Sequence, residues 1–123
     1  MNKIKSIYVC ENAFLSEGSK NLNLIGIFER ITVSSFPRNF PVFFLTVHIQ
    51  FEEEKEHNVE IKVIANGVMQ EEIFQYNVDG KKVQIIHKFI NYKFESAGDY
   101  EFQIIADGEN LGSTTINLQK KND

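Results

Sequence analysis

The stretch Phe43-Phe44-Leu45-Thr46-Val47-His48-Ile49-Gln50-Phe51 decides the fold class. Phe43, Leu45, Val47, Ile49 and Phe51 share one parity, while Thr46, His48 and Gln50 fall on the other. A strand alternates its side chains between two faces, so this pattern describes one buried and one wet face, as in an antiparallel sheet. The same alternation recurs at 59–65, where Val59, Ile61, Val63 and Ala65 oppose Glu60 and Lys62. It recurs again at 100–106, where Tyr100, Phe102, Ile104 and Ala106 oppose Glu101 and Gln103. A parallel sheet would show continuous apolar runs with intervening helices, and the chain shows neither.

Outward from these three, further strands are expected at about 4–14, 22–33, 82–94 and 111–119. Turn chemistry separates them: Ser16-Glu17-Gly18-Ser19, Asn66-Gly67, Asp79-Gly80 and Asp107-Gly108. Asn-Gly and Asp-Gly supply the positive φ angles that tight turns need. Gly26, inside Leu24-Ile25-Gly26-Ile27-Phe28, reads as a bulge or a close backbone approach. In 82–94 the parity is mixed, with Val83, Ile85 and Phe89 against Ile86, Ile90, Tyr92 and Phe94, which a bulge would explain. Segment 68–76 has Met69, Ile73 and Tyr76 at helical spacing. Its nine residues lie between two turns, and a strand is expected there. The sum is an all-β chain, an immunoglobulin-like antiparallel β-sandwich of seven to eight strands. Residues 1–119 form its single domain and 120–123 a short polar tail. Tyr100, two residues before inward-facing Phe102 and just after Ala97-Gly98-Asp99, stands where such folds place a tyrosine corner, which makes Gly98 and Tyr100 structural residues together with Gly26.

With 123 residues the chain buries enough surface to fold without metal or disulfide. Cys10 is the only cysteine, as a reducing compartment would give. The amino terminus lacks an apolar core of signal-peptide length, and no stretch approaches the ~20 apolar residues of a membrane span. A cytoplasmic protein with no membrane partner is expected. Net charge is −4, and residues 51–123 carry most of the acid. No clustered basic face is visible, which argues against nucleic acid.

The residues offer no catalytic constellation. Three histidines are present, and a Cys10 pairing with His48 or His87 is the one nucleophile–base arrangement that strand neighbours could assemble. No metal set is expected from one Cys and scattered His. Asp79, Asp99, Asp107 and Glu109 lie in or beside turns, where calcium-binding sandwiches gather carboxylates, yet hairpin chemistry accounts for them without an ion. No cofactor is implied. The run Glu52-Glu53-Glu54-Lys55-Glu56-His57 reads as a solvated hairpin loop.

The most unusual stretch is 29–41, which holds both arginines and both prolines of the chain. Its residues Arg30, Phe36, Pro37, Arg38 and Phe40 have the composition of interface anchors, with proline presetting the backbone. The competing reading has Phe36 and Phe40 capping the sandwich where the chain crosses between sheets. A binding module for a protein partner, acting through sandwich loops or through 29–41, is the first functional expectation. A structural or assembly subunit of a phage-like or mobile-element particle, working as a homo-oligomer, is the second.

Two blocks of residues also look familiar as a set: Cys10-Glu11-Asn12-Ala13 with Leu22 to Ile31 and Phe36-Pro37, then Ala97 to Ile104 with Asp107-Gly108-Glu109. Together they resemble a family of small bacterial β-sandwich proteins classed as a domain of unknown function. The resemblance implies a stand-alone bacterial domain and brings no activity or site residue with it.

Overall fold

The computed structural model describes residues 1–121, and of residues 71 and 72 the backbone alone. Among the described residues nine strands run in the order β1 (Lys3–Leu15), β2 (Leu22–Ile27), β3 (Arg30–Val33), β4 (Arg38–Gln50), β5 (Glu56–Ala65), β6 (Val68–Asp79), β7 (Lys82–Phe94), β8 (Gly98–Ala106) and β9 (Glu109–Lys120). They form a four-stranded sheet ordered β2-β1-β4-β7 and a five-stranded sheet ordered β3-β9-β8-β5-β6. Placing β4 and β7 in one sheet against β5, β8 and β9 in the other reproduces the division of an immunoglobulin-like sandwich. Segment 68–76 is strand, as expected.

Two expectations are corrected. The strand count is nine rather than seven or eight, because 22–33 is not one strand. Phe28 N–H still bonds to Val9 O of β1 at 2.7 Å, while Glu29 O already accepts from Asn117 N–H of β9 at 3.0 Å. The chain therefore changes sheets between two adjacent residues, and β3 then runs parallel to β9, so the second sheet is mixed rather than purely antiparallel. Gly26, with φ +66°, precedes this step without a register shift against β1, a close approach to the Glu11 side chain rather than a bulge. The C-terminal boundary also moves. β9 includes Lys120, Lys121 N–H bonds to Val33 O at 2.7 Å, and residues 122–123 lie outside the described residues.

The mixed parity of 82–94 has a cause other than a one-strand bulge. β4 and β7 keep one register from Arg38↔Phe94 to Gln50↔Lys82. Within it, inward positions pass from Phe40 to Phe43 on β4 and from Tyr92 to Phe89 on β7. Pro41 lacks an N–H, and the residue facing it, Asn91, adopts φ +50°. Both strands thus switch faces together across Pro41 and Asn91, which leaves the ladder aligned.

That switch aims aromatic rings at one point. Phe43, fully buried, stacks on Phe89 at 4.6 Å and on Phe94 at 5.8 Å, and meets the edges of Phe40, Tyr92 and Phe102. Around it lie Leu45, Val47, Val59, Ile61, Ile104 and Leu118, all without exposed surface. At the start of β8, buried Tyr100 donates its hydroxyl to Ser96 O at 2.9 Å and sets its ring edge on Phe94. Gly98 has φ +127°, and a Cβ there would fall 1.8 Å from Asn66 Oδ1. Asn66 in turn accepts from Asp99 N–H at 3.1 Å and donates to Ala97 O at 3.0 Å, tying the β5–β6 turn to the loop before the tyrosine.

The two anchors should differ in cost. Phe43→Ala removes the ring at the centre of the cluster and is expected to lose about 3–5 kcal/mol. Tyr100→Phe removes the bond to Ser96 O and the longer one from Ser96 N–H at 3.4 Å, about 1–3 kcal/mol. Urea denaturation of both variants checks the order; a larger loss for Tyr100→Phe would displace Phe43 from the centre of the account.

Candidate functional site

The 29–41 segment does not form one exposed loop. It comprises β3, a turn over residues 34–37 and the first residues of β4. Phe36 and Phe40 pack against the core, and Phe40 sets its ring against Phe28 at 5.9 Å and Phe94 at 6.4 Å. Pro37 and both arginines remain exposed. Arg30 faces Asn117 in the five-stranded sheet, whereas Arg38 faces Phe94 in the four-stranded one. The aromatic half of the expected contact surface thus belongs to the core.

The nucleophile–base pairings fail on register. Cys10 lies opposite Phe44, while His87 lies opposite Leu45, and consecutive residues of β4 point to opposite faces. His48 faces Ser6, four positions along β4 from Phe44, roughly 13 Å at strand spacing. Burial also pushes the Cys10 thiol above its ordinary range, away from the thiolate. The turn carboxylates do not gather either: Asp99 opens β8 and Asp107 follows its end, so they sit at opposite ends of the sandwich. Among the described residues no three His, Cys, Asp or Glu side chains form a metal-holding group.

One polar cluster was hidden from the sequence. The 52–55 segment carries the chain from one sheet to the other, so it is an inter-sheet loop rather than the expected hairpin. His57, which follows it, is 2% exposed and stacks on Phe51 at 3.7 Å. Its Nδ1 bonds Asp107 Oδ2 at 2.6 Å and its Nε2 bonds Glu53 O at 2.9 Å. Asp107 Oδ1 accepts from Asn58 N–H at 2.9 Å. Both ring nitrogens are engaged, so the pair clamps the loop and leaves none for proton transfer to a substrate.

An exposed apolar feature among the described residues is the outer face of the four-stranded sheet. Register places Ile27, Cys10, Phe44 and Lys88 in one row, with Tyr8, Thr46 and Ile86 in the next. On the far side Ile25 neighbours Asn12, and Val42 faces Ile90. Exposure of its large apolar members runs from 37% at Val42 through 52% at Ile25 and 53% at Ile27 to 63% at Ile90. Lysines frame this centre. Lys3 and Lys82 both pair with Gln50 at one end, and Lys88 and Lys93 follow the β7 edge. Across the four strands the only acidic residue is Glu11, whose side chain lies against Gly26, beside six basic residues. The strands of the other sheet hold eight acidic and three basic residues. A protein of net charge −4 thus concentrates its positive minority on one apolar sheet.

Comparison with known proteins identifies the family. The model of a family of unknown function, DUF6941, matches residues 5–119, and the chain belongs to that family. No curated protein matches it significantly in sequence. Among solved structures it is similar to part of the alkylpurine DNA glycosylase AlkC of Pseudomonas fluorescens, bound to DNA containing an abasic site analog. The TM-score is 0.59 at 13% identity, over 96% of this chain and 30% of that one. It is also similar to part of a β-glucosidase from Listeria innocua in complex with glucose, with TM-score 0.52 at 6% identity over 97% of this chain and 16% of that one. The chain therefore spans under a third of either protein, and at such identities the likeness shows the fold alone. No helix among the described residues is long and apolar enough to cross a membrane.

The clamp sets a pH profile. Burial opposes the charge on His57, but the Asp107 carboxylate and the Glu53 carbonyl outweigh it and hold the imidazole above its ordinary 6.5. The His57 bond, then the Asn58 N–H, hold Asp107 below its ordinary 3.8. A raised histidine stabilises fully below 6.5 and loses that contribution as pH rises through its folded value; a depressed aspartate stabilises above 3.8 and loses it as pH falls through its folded value. Asp107→Asn should therefore lower Tm most between about pH 4 and 6, with the gap from the parent narrowing in more alkaline buffer. A gap independent of pH would show that the pair acts through shape rather than charge.

Proposed function

We propose that this protein is a protein-binding module that seats its partner on the outer face of the four-stranded sheet. The observation that carries the reading is the set of side chains Tyr8, Ile25, Ile27, Val42 and Ile90, exposed on one face of a sheet whose strands carry six basic residues and one acidic residue, Glu11. Burying such a centre is favourable, at roughly 25 cal/mol per Å² of apolar surface, and the rim selects for charge. The partner that fits is an apolar protein surface edged with Asp and Glu. A centre of branched aliphatics suits protein side chains better than stacked bases, which call for aromatic platforms. A second copy fits less well: a two-fold contact through this face would set lysine rim against lysine rim. The 29–41 segment contributes less, since its two phenylalanines are packed.

The test is a double variant, Ile25→Glu with Ile90→Glu, which changes two exposed residues and should leave Tm nearly unchanged. A protein captured by the wild type from its host, once purified, should bind the double variant at least tenfold more weakly, with the wild type itself monomeric by light scattering. Equal binding by both would discard the face. Self-association of the wild type that the variant abolishes would replace the reading with an assembly role. Variant-sensitive sedimentation with anionic phosphatidylglycerol vesicles would replace it with membrane docking.

A further inference from the structure

β6 and β7 follow each other in the chain through Asp79-Gly80, yet β6 closes the five-stranded sheet and β7 the four-stranded one. No ladder joins them, so the turn is not the hairpin that its Asp-Gly suggests. A groove of about 740 Å³ opens between the two edges. That lies within the roughly 300–1,000 Å³ of small-molecule sites. Val68 and Met69 form one lip, Lys88 and Ile90 the other, and Phe74, His87 and Phe89 the floor. The floor is a packed set: Phe74 lies 4.3 Å from the His87 ring and 5.1 Å from Phe89, with His87 and Phe89 4.5 Å apart.

Among the described residues, His87 carries the one polar atom of this floor that lacks a partner. Its Nδ1 is hydrogen-bonded to the Tyr76 hydroxyl. Phenol is the stronger acid of the pair and imidazole the stronger base, so the phenol donates and the ring proton resides on Nε2. Nε2 is buried and has no hydrogen-bond partner among the described residues. Burial alone holds the ring below its ordinary pKa, and it is neutral at pH 7. A buried, unpaired N–H is costly, and an acceptor arriving in the groove would relieve it. At the lip, Lys93 is paired with Glu95 at 3.4 Å, whereas Lys88 has no ion-pair partner among the described residues.

We propose that this groove is a binding site for an apolar anion: a hydrocarbon or aromatic body laid over Phe74, Phe89 and Met69, with an acidic group accepting from His87 Nε2–H and attracted by Lys88. This is a second site that shares Lys88 and Ile90 with the edge of the protein-binding face, whereas Ile25 of that face does not line it.

Two fluorescent probes that differ by one sulfonate test it. 1-Anilinonaphthalene-8-sulfonate should bind the full chain saturably at one site, roughly tenfold or more tighter than uncharged N-phenyl-1-naphthylamine, the factor that a hydrogen bond to a charged group carries. His87→Leu should abolish most of this preference. Lys88→Gln, an exposed change that leaves the core alone, should reduce it several-fold should His87→Leu unfold the chain. Met69→Trp should weaken both probes by filling the lip, and Ile25→Glu should weaken neither. Equal affinity for the two probes, no saturable binding, or a loss caused by Ile25→Glu but not by Met69→Trp would each overturn the proposal.

Discussion

The fold turns on one backbone constraint, the paired face switch at Pro41 and Asn91. Proline cannot donate to the ladder, so a central strand normally excludes it. Here its opposite number, Asn91, takes a left-handed conformation that asparagine tolerates better than most residues. Because both strands step together, the register survives and two sets of aromatic rings turn inward. Phe40, Tyr92 and Phe94 come from one side of the step, and Phe43 and Phe89 from the other. A step on one strand alone would have shifted the ladder by a residue and sent one of these sets to solvent. Tyr100 then closes the lower set by resting on Phe94, which links the corner before β8 to the same constraint.

Alternation made most of this legible. The parity of 43–51, 59–65 and 100–106 placed Phe43, Val59 and Phe102 inside, where they are buried, and the position of Tyr100 reflects chain chemistry that is local. Three features escaped. The sheet change at Phe28–Glu29 moves the inward parity from Phe28 to Ile31 and Val33, but Leu24, Ile25, Ile27 and Phe28 are apolar on both parities, so the sequence does not mark it. The mixed parity of 82–94 suggested a bulge because the compensating step lies on β4, some fifty residues away. The His57–Asp107 pair joins residues fifty positions apart, and neither carries a mark that separates it from other turn residues.

The candidate surface was obscured by the same parity. By parity Ile86 and Ile90 compete with Val83, Ile85 and Phe89 for the core, and they lie instead on the outer face with Val42 and Ile27. Composition gave a further signal that a count by chain halves blurred: the strands that pair in the four-stranded sheet are the basic ones. Charge sorts by sheet, and sheets interleave in sequence. In the 29–41 segment the arginines and Pro37 are exposed, whereas Phe36 and Phe40 pack against the core and the ring of Phe40 touches three others.

Lysines along a free β7 edge also have a defensive reading, since charge on an edge strand discourages pairing with another chain. Edge protection accounts for Lys82, Lys88 and Lys93. It does not account for Ile25, Ile27 and Val42, which are away from that edge and exposed. Solubility alone would favour polar residues at such positions, because an uncovered apolar patch promotes association in a monomer. Ile90 sharpens the point: it sits on the β7 edge between two lysines and is the most exposed apolar residue of that sheet's outer face. An edge shaped only for protection would place a polar side chain there. Lysine and isoleucine together describe an edge that repels strands and still admits a partner of opposite charge.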